Sequence, residues 1–298
     1  MSANKLKPDS QCKLLVDLLS KSGKLKFLEA HSALSALIVE TTEFENDGFS
    51  DSFNGIWASS LTDATIKGCP DNESVQVSSR LNTLKEMMHV SKKPILFDGD
   101  SGGSKSNFVK LVKSLTKLGV AGVVIEDKEG LKQNSLSLNS TQKQTSIPKF
   151  TEKIKAGKRV SGGKNFLIIG RIESLITGLG MSDALVRAEA YVSAGANGIM
   201  IHSRSPEPDE IYEFCERFRS TDQTSILIVV PSTFDKTTNE DLWNRGVNIV
   251  IYANQLLRSA FPAMVESAIS ILKHGRALEI RNRLMTIKEV LEVIPESP

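Results

Sequence analysis

Residues 94–135 read PILFDGDSGGSKSNFVKLVKSLTKLGVAGVVIEDKEGLKQNS, and the reading of this stretch decides the fold. Two short apolar runs, 95–97 and 123–125, each end abruptly in acid: Asp98 and Asp100 after the first, Glu126 and Asp127 after the second. A helical run over 108–118 separates them, so the stretch is strand, helix, strand. A buried strand that ends in carboxylates is costly unless something cationic neutralises them. Like charges packed at one rim also raise each other's pKa. A hard divalent ion with oxygen ligands suits such a rim. The plain alternative is a set of solvated loop acids.

The same rhythm extends in both directions. Strands are predicted at 26–31, 53–60, 94–98, 121–126, 166–172, 198–201, 225–230 and 247–252. Helices are predicted at 10–22, 32–44, 73–90, 108–118, 148–159, 181–194, 208–219, 239–245, 255–274 and 277–294, the last broken by Pro295. Eight strands alternating with helices in 298 residues predict a (β/α)8 barrel of the TIM type. A doubly wound sheet would alternate too, but the count reaches eight and no GxGxxG turn follows a strand. The glycine-rich DGDSGGSKS fails the phosphate-loop pattern, because Ser104 rather than glycine precedes Lys105. Residues 129–147, rich in Ser, Gln, Asn and Thr, lack periodicity; a loop that long in a compact domain reads as a lid or as a disordered segment. No composition shift marks a boundary, so the expectation is one barrel domain over 1–298.

With 40% hydrophobic and 24% charged residues the chain is compositionally an ordinary globular protein. A net charge of +2 without a Lys/Arg block gives no footprint for nucleic acid. No apolar run is long enough for a bilayer, and MSANKLKPDS lacks a signal-peptide core. Cys12, Cys69 and Cys215 fit neither a disulfide framework nor a CxxC metal site, which points to a reducing, cytoplasmic setting.

Barrel active sites lie where the strands end. Those ends carry Trp57 to Ser60 with Asp71 in the next loop, Asp98 and Asp100, Glu126, Arg171 and Glu173, His202 and Ser203, Ser232 and Asn254. Several carboxylates thus share a rim with an arginine and a histidine, which favours a metal site. Singly, each residue has a plainer reading. His202 can be a satisfied rim histidine, Glu173 can serve only to hold Arg171, and Trp57 can be core packing. His31, His89 and His274 lie off the rim or on helices and read as structural. Arginine beside a metal suits an anionic substrate, since guanidinium matches phosphate or carboxylate as a fork. The residues therefore describe a Mg2+-dependent barrel enzyme acting on a small oxyanion beneath a polar lid, without naming the reaction.

The run E126-D-K-E-G-L-K-Q-N-S135 resembles the signature of phosphoenolpyruvate mutases, within the isocitrate lyase superfamily. The similarity extends from LKFLEAHSALSALIVE near residue 25 to IYANQLLRSA near 260. It implies interconversion of phosphoenolpyruvate and phosphonopyruvate, the entry to phosphonate biosynthesis, with Mg2+ as cofactor. It also implies a homotetramer, a dimer of dimers, in which a C-terminal helix swaps between subunits; 277–294 would be that helix. By matching position, Asp98 would ligate the metal directly, while Asp100 and Glu126 would hold metal-bound waters. Asp71 would be the remaining active-site acid. Trp57 would pack on the substrate, and Ser59 with the backbone N–H groups of Ser60 and Leu61 would hold its carboxylate. Arg171, His202 and Asn134 would surround the phosphoryl group, and Lys132 would belong to the lid. The family's usual DADTGYGN is here DGDSGGSK: both aspartates stay, but Gly103 replaces the aromatic residue. The lysine-cysteine-glycine-histidine run of the lyase branch is absent. A hydrolase giving pyruvate and phosphate is the alternative, and a barrel without turnover is a third reading. Asn134 within the signature favours the mutase.

Overall fold

The computed structural model describes residues 10–130, 132–136, 142–162 and 165–294. Eight parallel strands close into a barrel: β1 Leu25–Glu29, β2 Gly55–Ala58, β3 Ile95–Asp98, β4 Gly122–Glu126, β5 Leu167–Ile172, β6 Gly198–Ile201, β7 Ile226–Val229 and β8 Ile249–Tyr252. Each pairs with its sequence neighbours, and β1 lies between β2 and β8 to close the ring. The expected barrel is therefore the observed fold.

The strands are short and rich in Ile, Val and Leu because both faces are buried. One alternate set, including Phe27, Trp57, Leu96, Val124, Ile169, Met200, Ile228 and Ile251, fills the barrel interior. The helix α1 (Ser10–Lys21) adds Leu15 to that cluster, and its Gln11 accepts from the N–H of Ile95 at 3.3 Å. It thus closes the end where the strands begin, leaving the opposite end for the site.

Outside the ring come α2 (Ala33–Thr41), α3 (Ser60–Ile66), α4 (Val77–Val90), α5 (Lys105–Leu118), α6 (Ile147–Val160), the one-turn α7 (Ser174–Thr177), α8 (Gly180–Ser193), α9 (Asp209–Thr221) and α10 (Asn239–Trp243). The local logic is clear in α5. Ser104 caps it by accepting from Asn107 N at 3.1 Å, and Gly119 ends it at φ 87°, a conformation that favours glycine. Phe108, Leu111, Val112 and Leu115 form its buried stripe, each contributing about 1.5–3 kcal/mol by burial.

Two expectations need correction. The helix read over 32–44 stops at Thr41, because Glu43–Asn46 and Phe49–Ser52 form a hairpin about Asp47 and Gly48, both at positive φ. Asp-Gly is the turn chemistry of such a hairpin, and it overrode the helical pattern. The helix read over 277–294 is instead a 3-10 turn, Leu278–Arg283, then a separate short helix α12, Ile287–Glu292. Thr286 and Glu289 form a reciprocal capping box that starts a new helix there. Pro295 lies outside the described residues, as do residues 1–9 that were read for a signal sequence.

By contact the chain divides into two compact units, Met1–Gln255 and Leu256–Pro298. Gln255–His274 (α11) supplies most of the second. No helix among the described residues is long and apolar enough to cross a membrane.

Candidate active site

At the C-terminal ends of the strands lies a cavity of about 70 Å3, room for a small ligand only. Eleven of the twelve expected site residues line it: Trp57, Ser59, Ser60, Leu61, Asp71, Asp98, Glu126, Lys132, Asn134, Arg171 and His202. Asp100 alone stands behind the lining.

Strand β3 delivers Asp98 at its last residue, and Gly99 lets the chain turn away at once. A Cβ on Gly99 would meet Val123 Cγ2 at 2.7 Å and Val124 O at 2.9 Å, so a larger residue between the two aspartates would have to displace β4. Asp98 Oδ2 accepts from Ser60 N–H at 3.2 Å and Ser60 Oγ at 2.7 Å. Burial alone would raise its pKa, but Lys132, Arg80, Arg171 and the Ser60 hydroxyl outweigh it, so the carboxyl sits below the ordinary range. Asp100, at φ 51°, accepts from Arg80 Nη1 at 2.8 Å and faces Lys132. Burial nevertheless pushes its pKa up, against Arg80, with the Asp98 charge adding to the rise.

Strand β4 ends in Glu126, opposite Arg171 of β5 in register. Glu126 lies 3.2 Å from Lys128 Nζ and 3.7 Å from Arg171 Nη2, yet burial pushes its pKa up to about 7. Arg171 is fixed on three sides. Its Nε pairs with Glu173, and its Nη2 donates to Ser135 Oγ at 2.7 Å and to His202 Nδ1 at 2.8 Å. Burial and the adjacent guanidinium lower the His202 pKa. A guanidinium can only donate, so His202 accepts at Nδ1, and a neutral ring in that role carries its proton on Nε2. Glu173 thus holds Arg171, the plainer of its two readings.

The segment expected to form a lid has paired legs: Lys128–Glu129 runs antiparallel to Lys143–Gln144. Of the 129–147 lid, residues 131 and 137–141 lie outside the described residues. Lys132 donates to Ser60 Oγ at 2.6 Å and to Asp71. Burial opposes its charge, but Asp100, Asp98 and Asp71 hold its pKa above the ordinary lysine value. Asn134 Nδ2 donates to Asp71 Oδ2 at 3.0 Å. Asp71 therefore holds segment 129–147 by two side chains.

Sequence reasoning missed Arg80, Lys128 and Ser135. The last two stand in the quoted signature, which was the signal available. Arg80 carried none: it lies on α4, reaches Asp100, and stacks over Phe97 with Cζ 4.2 Å from the ring centroid. Asp127, read at the rim beside Glu126, is fully buried and turned away from the cavity. Ser232 and Asn254 do line it. His31 sits just past the end of β1 but is bonded to Glu29 at 2.9 Å and does not line the cavity.

The donor set suits Mg2+. It is all oxygen, and Asp100 Oδ1 and Glu126 Oε1 are buried carboxylate oxygens without an aligned hydrogen bond among the described residues. No group of three His, Cys, Asp or Glu among the described residues forms a direct cage. Mg2+ asks for none, since it keeps several waters and takes one or two carboxylates.

The sequence profile described as phosphoenolpyruvate phosphomutase matches residues 15–272. The chain is 36% identical to the phosphoenolpyruvate phosphomutase of Tetrahymena pyriformis over 275 residues, 92% of this chain and 88% of that protein. The crystal structure of phosphoenolpyruvate phosphomutase from Streptomyces platensis subsp. rosaceus superposes with a TM-score of 0.87 at 30% identity, covering 95% of this chain and 94% of that one. A phosphonopyruvate hydrolase structure in complex with oxalate and Mg2+ superposes at 0.84, also 30% identical, over 95% and 94%.

Proposed function

The chain belongs to the phosphoenolpyruvate phosphomutase family, within the isocitrate lyase superfamily, and on that premise we propose that it is a Mg2+-dependent isomerase interconverting phosphoenolpyruvate and phosphonopyruvate. The observation that carries the reading is the convergence of Arg171, His202 and Asn134 on one small cavity beside Asp98, with the lid gripped by Asp71.

In the proposed reaction the P–C bond of phosphonopyruvate breaks, its electron pair moves into the pyruvate enolate, and the enolate oxygen takes the phosphoryl group. Asp98 would hold the ion directly, with Asp100 and Glu126 accepting from its waters. Bound Mg2+ would supply positive charge to spread that of the enolate. Trp57 would offer its face to the substrate, and Ser59 and the Leu61 N–H would take the carboxylate. The Ser60 N–H already donates to Asp98 at 3.2 Å, so it would serve the substrate only by sharing that bond. A loose phosphoryl group needs donors on its equatorial oxygens. Arg171, preset by Glu173 and Ser135, His202 through Nε2, and Asn134 are those donors. Lys132 and Asn134 close the site against water, which would otherwise capture the phosphoryl group.

Hydrolysis of phosphonopyruvate to pyruvate and phosphate is the second reading, because a hydrolase superposes almost as well as the mutase. Phosphorus NMR of phosphonopyruvate incubated with the protein and Mg2+ separates them. Formation of phosphoenolpyruvate supports the isomerase, free phosphate supports the hydrolase, and an unchanged spectrum identifies a barrel without turnover.

We also propose a homotetramer, a dimer of dimers exchanging C-terminal helices. In support, the unit Leu256–Pro298 exposes Phe261, Leu272, Ile287 and Leu291 by 60–85%. Apolar exposure on that scale marks a contact surface. A cytoplasmic setting fits three cysteines of which none is in a disulfide.

A further inference from the structure

Behind the site, and outside its lining, Asp127 gathers an unusual number of donors. Its carboxylate accepts from Glu173 N at 3.0 Å, Gln144 Nε2 at 3.0 and 2.9 Å, Tyr191 OH at 2.6 Å and Arg187 Nη1 at 3.2 Å. Its backbone adds two more bonds: its N–H donates to Arg171 O at 3.1 Å, and its carbonyl accepts from Thr145 N at 2.8 Å. Arg187 Nη1 also donates to Thr145 O at 2.9 Å, and Thr177 Oγ1 donates to Gln144 Oε1 at 2.8 Å. One buried residue thus ties together the end of β5, which carries Arg171 and Glu173, the return leg of the lid, and helix α8.

We infer that Asp127, Gln144 and Tyr191 are positioning residues that decide whether the phosphoryl group goes to the enolate oxygen or to water. The inference rests on the isomerase reading. Both fates begin with the same broken P–C bond. In isomerisation the enolate oxygen bonds phosphorus and no proton is consumed. In hydrolysis a water oxygen bonds phosphorus, one proton of that water goes to C3 of the enolate, and pyruvate and phosphate leave. The two outcomes differ only in whether water reaches phosphorus. The lid residues Lys132 and Asn134 stand between legs whose return strand is pinned at Gln144 and Thr145, so the pin sets how often the lid leaves Asp71. None of the three side chains touches the cavity, and each is buried, so they act through the lid and through Arg171.

The test is the product ratio from phosphonopyruvate and Mg2+ by phosphorus NMR, for the parent, Tyr191→Phe and Gln144→Ala, below each protein's melting transition. Where Tyr191→Phe melts too low, Thr177→Val, which removes one hydrogen bond to Gln144, takes its place. The expected result is a rise in the phosphate-to-phosphoenolpyruvate ratio on the order of tenfold, the weight of one lost hydrogen bond to a charged group. An unchanged ratio in folded variants, whatever their loss of stability, overturns the inference and leaves the isomerase reading standing. A parent that yields only phosphate overturns the isomerase reading and this inference with it.

Discussion

Asn134 sits where a small change should be most telling, since its amide reaches Asp71 and it lines the cavity without belonging to the acid cluster. Asn134→Ala should lower turnover by about two orders of magnitude, the scale of one lost transition-state donor, while leaving Mg2+ affinity by calorimetry unchanged. Parent-like turnover would remove Asn134 from the mechanism. Asp127 gives a pH prediction. Burial pushes its pKa from 3.8 up to about 6, against the pull of Tyr191, Gln144 and Arg187. A raised carboxyl pKa means the folded state holds the proton more tightly than the unfolded one. The stability this gives is full below pH 3.8 and is lost as pH rises through 6, a change of about 3 kcal/mol. Asp127→Asn should therefore be less stable than the parent but lose less between pH 4 and 7, measured by urea unfolding; equal slopes would contradict the shift. Cys215 is buried and burial pushes its thiol up to about 12, and Cys12 is buried too, so a thiol reagent at pH 8 should label native protein at Cys69 alone. Labelling of all three without denaturant would count against this packing.

Among the elements, α4 is the one whose role composition hides. It reads as an amphipathic helix, yet it inserts Arg80, a buried residue, between Asp63 and Asp100. Arg80→Met keeps the volume and removes the charge, leaving those acids facing one another. Loss of one partner from a buried pair costs about 3–5 kcal/mol. The variant should unfold at correspondingly lower urea, and a variant as stable as the parent would show that Arg80 is dispensable to the acid cluster. The segment 129–147 shows the opposite case. Its low periodicity marked it as a loop, and the two-residue pairing of Lys128–Glu129 with Lys143–Gln144 is too short to leave any pattern in the sequence.

At the scale of the molecule, the exposed apolar residues of Leu256–Pro298 make the proposed tetramer testable. Leu272→Glu and Leu291→Glu, at 85% and 72% exposure, cost little in an isolated chain but would bury charge in an interface. Light scattering after gel filtration should read a smaller species than the parent; an unchanged mass would exclude these residues from the contact. The barrel itself was legible in the sequence, because strands buried on both faces must be short, apolar and regularly spaced between helices, their count reaches eight, and no GxGxxG turn marks a doubly wound sheet. The acids at the strand ends were readable for the same reason: a carboxylate at the end of a buried run has nowhere to go but the rim. What only the tertiary structure decided is which way those acids face. Glu126 and Asp127 are adjacent in sequence, yet successive residues leaving a strand point to opposite sides, so one lines the cavity and the other is locked behind it among Arg187, Tyr191 and Gln144. Those partners come from 17 to 64 residues away, and no local pattern carries contacts of that range.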